Sequence, residues 1–152
     1  LLTHYFHSLL SFVVQSGHSL PVEHLFVYGT LRRAAEHKAI SNIHEAMRTY
    51  GVYVGTGTIR ARLFKGDYFP GAILSASSEH RVVGELYAIS EATTLLEILD
   101  EYEGCFDTPP LFWRTQVPVT QPGGSVITAW VYLYNRSVEG LREILSGDFL
   151  QQ

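Results

Sequence analysis

The chain has 152 residues, 46 % hydrophobic and 17 % charged, which excludes a disordered polypeptide and fits one domain with a sizeable core. A formal net charge of −4 argues against nucleic acid, which selects basic faces, and leaves a neutral or zwitterionic small molecule as the better partner. Cys105 is the only cysteine, so an intrachain disulfide and a thiolate metal site are both excluded, in keeping with a reducing, cytoplasmic setting.

In chain order, residues 1–20 read as an N-terminal leader or extension ahead of a domain over 21–152. The apolar run Leu9–Val14 is far shorter than the roughly 20 residues that span a bilayer, so no membrane partner is expected. No Lys or Arg precedes Arg32, which removes the basic region of a secretory signal. Val22–Gly29 reads as a strand. Ala34–Tyr50 lacks Gly and Pro and spaces Ile40, Ile43, Ala46 and Met47 as a helix, ended by Gly51. Val52–Arg60 alternates and carries glycines, as a bulged strand does. Ala61–Tyr68 continues as a short strand or turn, and Ala72–Ala76 is a strand after the Phe69-Pro70-Gly71 turn.

Arg81–Ile89 is a further strand. Ser90 then caps a helix whose apolar face is Leu95, Leu96, Ile98 and Leu99, and Gly104 stands where a terminating glycine belongs. Phe112–Thr120 and Val126–Tyr134 form a hairpin around Gln121-Pro122-Gly123-Gly124. In its second strand Trp130, Tyr132 and Tyr134 share one face, and Ala129, Val131 and Leu133 share the other. Val138–Leu145 reads as a short helix. Strands outnumber helices, so the fold class is α+β, a small mixed β-barrel with flanking helices.

Two stretches carry chemistry. In Val27-Tyr28-Gly29-Thr30-Leu31 a buried strand runs into a glycine-containing turn, which can aim backbone N–H groups at an oxygen anion. Far downstream, Leu99-Asp100-Glu101-Tyr102-Glu103-Gly104 supplies a base. The phosphate-loop reading of the turn fails for want of a Gly-rich spacing and a Lys-Ser/Thr pair. The seven histidines have no H-E-x-x-H or paired carboxylate motif, so no metal site is expected. Cys105 is a packing residue rather than a nucleophile.

These segments, together with Tyr68-Phe69-Pro70-Gly71-Ala72, Val83-Gly84-Glu85-Leu86-Tyr87, Trp130-Val131-Tyr132-Leu133-Tyr134 and Ser146-Gly147-Asp148, resemble the gamma-glutamylcyclotransferase-like family, which includes the avirulence-induced-gene-like proteins. The likeness runs from about Leu25 to Phe149, and it is the order of the segments that is specific. The resemblance implies a barrel flanked by helices and a reaction that uses no metal or organic cofactor. A γ-glutamyl amine or γ-glutamyl amino acid yields 5-oxoproline and the released amine. It also implies Glu103 as general acid/base and Tyr28, Gly29, Thr30 and Leu31 as the substrate cavity. One position departs: relatives commonly carry a tyrosine two residues before the arginine matching Arg114, where this chain has Phe112. That departure keeps a rival open, a non-catalytic small-molecule-binding module of the same fold. A monomer is the default assembly.

The chemistry constrains the residues. An α-ammonium with a pKa near 8 faces a glutamate near 4.3, a gap of roughly 5 kcal/mol against proton transfer, so a catalytic glutamate needs a partly apolar site that lifts it to about 6–7. Outside the family pattern Glu103 reads as a solvated helix-end carboxylate. Asp100 shares its helix face and either raises its pKa by repulsion or hydrogen-bonds a nearby backbone, the structural role being favoured. Glu85 is the second candidate for a buried acid. Arg32 has two roles open to it, pairing with a substrate carboxylate or facing water. Tyr28 reads as both core and pocket wall, and Tyr132 and Tyr134 as sheet packing first.

Overall fold

A computed structural model of the chain describes residues 22–35 and 38–152. The leader expected over 1–20 lies outside the described residues. Among the described residues, eight strands, β1 (Glu23–Val27), β2 (Gly51–Ile59), β3 (Ala61–Lys65), β4 (Pro70–Leu74), β5 (Val82–Ile89), β6 (Phe112–Thr120), β7 (Val126–Tyr134) and β8 (Arg142–Glu143), are joined by two α-helices, α1 (Ser41–Tyr50) and α2 (Ala92–Tyr102). Five strands close a barrel in the order β1-β5-β2-β6-β7, and β4-β3-β8 form a second sheet. All barrel pairings are antiparallel except β1 with β7, where Leu25 meets Trp130 in parallel. The expected bulge in β2 appears as a register slip between Tyr53 and Gly55.

Period-2 alternation sorts the core into two layers. Phe26, Leu86, Val119, Val131 and Leu133 fill the barrel, and Leu25, Val27, Tyr87, Phe112 and Tyr132 pack on Leu95, Leu96 and Leu99 of α2 and on Ile43 and Met47 of α1. Leu95 and Leu99 are wholly buried; each such side chain contributes about 1.5–3 kcal/mol. Helix α2 is thereby fixed against the outside of the barrel, and its C-terminus is carried to the turn that follows β1.

Three local expectations give way to longer-range partners. The helix expected from Ala34 starts at Ser41, after 3₁₀ turns at Arg33–Ala35 and Lys38–Ile40, and the Arg33 N–H donates to Glu85 across the turn. Ser90 does not cap α2. Its N–H and hydroxyl both donate to the Tyr50 carbonyl, tying β5 to the end of α1, and Glu91 takes the cap position in a left-handed conformation. The tail over Val138–Leu145 is not a helix. Glu143 receives two bonds from Arg62, and the Ile144 N–H donates to Leu63. Ile144 is thereby buried while Leu145 is exposed, and β8 joins β3.

Candidate active site

Helix α2 ends at Glu103 with its last carbonyls satisfied. The Gly104 N–H donates to Glu101 and the Cys105 N–H to Asp100, a Schellman ending with Gly104 in the left-handed region at φ 69°. A Cβ at Gly104 would also stand 2.7 Å from Asp107 Oδ2. This stop ends the helix at Glu103, whose carboxyl borders the cavity.

That cavity is narrow, with a volume of about 30 Å³. Tyr28, Gly29, Thr30 and Leu31 line it, with Phe69, Pro70, Phe112, Tyr132 and Glu103. All five residues singled out from the sequence therefore meet in one pocket. The turn is closed by the Arg32 N–H donating to the Gly29 carbonyl at 3.0 Å. The N–H groups of Gly29, Thr30 and Leu31 find no acceptor among the described residues. Gly29 is required by close approach, since a Cβ there would lie 2.5 Å from Cγ of Pro70. The Thr30 hydroxyl lies 3.1 Å from the Tyr102 hydroxyl, a bond between the turn and α2. Tyr28 serves both core and wall: buried, it donates its hydroxyl to the Tyr132 carbonyl at 2.6 Å and accepts from the Ala72 N–H at 3.1 Å.

Glu103 is half-buried, and its carboxyl has no hydrogen bond or ion pair among the described residues. Burial alone pushes its pKa up to about 8, beyond the 6–7 expected from the sequence. Asp100 makes no contribution to that rise. It is held by a fork from Arg114 (2.8 and 3.2 Å) and by the Tyr132 hydroxyl at 2.7 Å, the structural role expected of it, with side chains as donors. Tyr28 and Tyr102 have raised pKa values, mainly through burial and further through the nearby charge of Glu103. Burial, then the charges of Asp100 and Glu103, pushes the Cys105 thiol up to about 11, so it stays protonated at neutral pH.

Arg32 takes neither role left open for it. It is 7 % exposed and pairs with Glu85 at 3.2 Å and Asp148 at 2.8 Å. Glu85 is buried, as the second candidate should be, but it also accepts from the Arg33 N–H and the Tyr87 hydroxyl. Phe112, the departure from the family pattern, lines the pocket and stacks edgewise on Phe69 and Tyr134. From the sequence Tyr132 reads as sheet packing first, and Pro70 only as part of the Lys65–Gly71 loop that sets the leaving group. Tyr132 faces the helices as its alternation shows, but the cavity beside it depends on Pro70, which comes from the other sheet.

A family model described as "Gamma-glutamyl cyclotransferase, AIG2-like" matches residues 25–151. The "Gamma-L-glutamyl-butirosin B gamma-glutamyl cyclotransferase" of Niallia circulans is 36 % identical over 114 residues, 74 % of this chain and 67 % of that protein. The gamma-glutamylcyclotransferase family protein YtfP of Escherichia coli K12 is 33 % identical over 84 % of this chain and 96 % of its own. Among solved structures, the solution structure of ytfP from Escherichia coli superposes with a TM-score of 0.58 over 84 % of this chain and 96 % of that one, at 32 % identity. The crystal structure of a mouse aig2-like protein gives 0.59 over 81 % and 86 %, at 26 % identity. A barrel of this topology, with one partnerless carboxyl facing a turn of free N–H groups and a family match over nearly all the described residues, makes this chain a member of the gamma-glutamyl cyclotransferase, AIG2-like family, a cyclotransferase-like enzyme of γ-glutamyl compounds.

Proposed function

We propose that the protein releases 5-oxoproline and a free amine from a γ-glutamyl amine, with Glu103 as the general acid/base and the Tyr28–Leu31 turn as substrate and oxyanion cradle. The observation that carries this reading is the pairing, in one narrow cavity, of a partnerless carboxyl at about 8 with N–H groups that have no acceptor among the described residues. The substrate's α-amine and γ-carbonyl belong to one molecule, so cyclisation needs no second reactant. The α-ammonium gives a proton to Glu103, and its nitrogen attacks the γ-carbonyl carbon to form the new C–N bond. The carbonyl electron pair moves to oxygen, where backbone N–H groups of the turn receive it. Collapse breaks the old C–N bond as Glu103 returns its proton to the departing nitrogen; the ring nitrogen then gives its second proton to the freed carboxylate, which passes it on so that the amine leaves as its ammonium.

At a pKa of about 8, Glu103 is level with an α-ammonium, so the roughly 5 kcal/mol cost facing an ordinary glutamate is nearly removed. Among the described residues, no Lys or Arg lines the cavity. A leaving group with its own carboxylate therefore gains no ion pair there, which favours γ-glutamyl amines over γ-glutamyl amino acids. The substrate α-carboxylate falls to backbone N–H groups, because Arg32 is committed elsewhere.

The test is a 5-oxoproline assay of wild type and Glu103→Gln on γ-glutamyl amines, γ-glutamyl peptides and glutathione. Wild type is expected to turn over the amines best, and the variant to lose about 10²–10⁴ in kcat while keeping its fold. A Glu103→Gln protein at near-wild-type turnover removes Glu103 from the mechanism.

A further inference from the structure

N–H groups that receive an oxyanion work only while the turn keeps them aimed at the pocket. Two carbonyls of this turn are tethered. Gly29 O is held within the turn by the Arg32 N–H. Thr30 O is held from outside it, 2.9 Å from Nε2 of His44, a residue of α1 that is 3 % exposed. A carbonyl oxygen only accepts, so this ring nitrogen carries the proton.

Peptide geometry gives that bond a consequence for the pocket. Thr30 C=O and Leu31 N–H belong to one planar trans peptide and point in opposite directions. Holding the oxygen toward α1 fixes the hydrogen away from α1. Leu31 borders two cavities accordingly: the one that holds Glu103, and a second shared with His44, Met47 and Tyr53. The bond to Thr30 O also polarises the same peptide and makes Leu31 N–H the stronger donor. Helix α1 is a firm base for it, with Ile43 and Met47 buried in the same core layer as Leu31.

We propose that His44 is a positioning residue of the reaction: its Nε2–H bond to the Thr30 carbonyl aims the Leu31 N–H at the developing oxyanion. The proposal rests on the reading of Tyr28–Leu31 as the cradle. His44 touches no reacting atom and carries no proton to or from the substrate.

The experiment measures kcat, KM and melting temperature on a γ-glutamyl amine for His44→Leu, of similar volume with no donor, and His44→Gln, which keeps one. His44→Leu is expected to lower kcat by about 10–100-fold with KM within about threefold, and His44→Gln to recover most of that loss. A His44→Leu kcat within about twofold of wild type overturns the proposal, as does a parallel fall of both variants in kcat and melting temperature. Should His44→Leu not fold, His44→Ala with added imidazole decides: restored kcat supports the proposal and unrestored kcat overturns it. Gly29→Ala separates this from the cradle itself, because its Cβ would press on Pro70 and distort the turn. A folded but inactive Gly29→Ala beside an active His44→Leu removes only the role of His44. A folded, fully active Gly29→Ala removes the cradle.

Discussion

Glu85 and Glu103 are both taken out of bulk water, and they differ in what meets them there. Glu85, 5 % exposed, lies among Arg32, the Arg33 N–H and the Tyr87 hydroxyl. Those donors repay its desolvation and make it part of the frame that joins β5 to the residues after β1 and, through Arg32, to Asp148. Glu103 is half-buried beside Tyr28, Tyr102 and apolar neighbours with no donor to its carboxyl among the described residues, so a smaller loss of water, uncompensated, favours its protonated form. Burial alone does not make an acid chemical. The absence of partners does, and the turn opposite gives that acid something to act on.

Removing each carboxyl should therefore damage a different property. The largest expected effect is the loss of about 10²–10⁴ in kcat for Glu103→Gln, read as 5-oxoproline release. Glu85→Ala should instead cost about 2–4 kcal/mol of stability, read from urea unfolding, because it leaves the buried Arg32 guanidinium with Asp148 alone and the Tyr87 hydroxyl without its acceptor. If Glu85→Ala were as stable as wild type, the division between the two acids would not hold.

The stability effect of Glu103 should run the other way. Its folded pKa of about 8 lies above the unfolded value of 4.5, so the folded state holds the extra proton between those limits and stability falls as pH rises through that window. Glu103→Gln removes this penalty. It should unfold at higher urea than wild type at pH 9, by about 2–4 kcal/mol, with little difference at pH 4. Equal midpoints at both pH values would show a carboxyl that water still reaches. The smallest expected effect belongs to Phe112→Tyr, which adds one hydroxyl to a ring already packed between Phe69 and Tyr134: a stability change of under about 1.5 kcal/mol. A larger loss would mean that the aromatic wall is tighter than its edge contacts imply.

Features set by neighbours in the chain were legible in the sequence. Gly104 read as a helix stop because one positive φ satisfies two carbonyls within five residues. The β6–β7 hairpin and the two faces of β7 followed from turn chemistry and period-2 alternation. Features set by distant partners were not. Arg32 reaches Glu85 and Asp148 across 53 and 116 residues, so it read as a free cation beside the turn. The tail read as a helix because Arg62 and Leu63, which pull it into β8, lie some 80 positions upstream. The site was partly legible. Family order brought Glu103 and the turn together, but neither the missing partners of Glu103 nor His44 behind Thr30 left any local trace.

The most direct measurement is a carbon-13 NMR titration of the carboxyl carbons in glutamate-labelled protein, with Glu103→Gln used to assign the resonance. The Glu103 signal is expected to titrate near 8. A Glu103 signal titrating near 4.5 would mean a solvated carboxylate, and the proton-carrying role given to it would be contradicted.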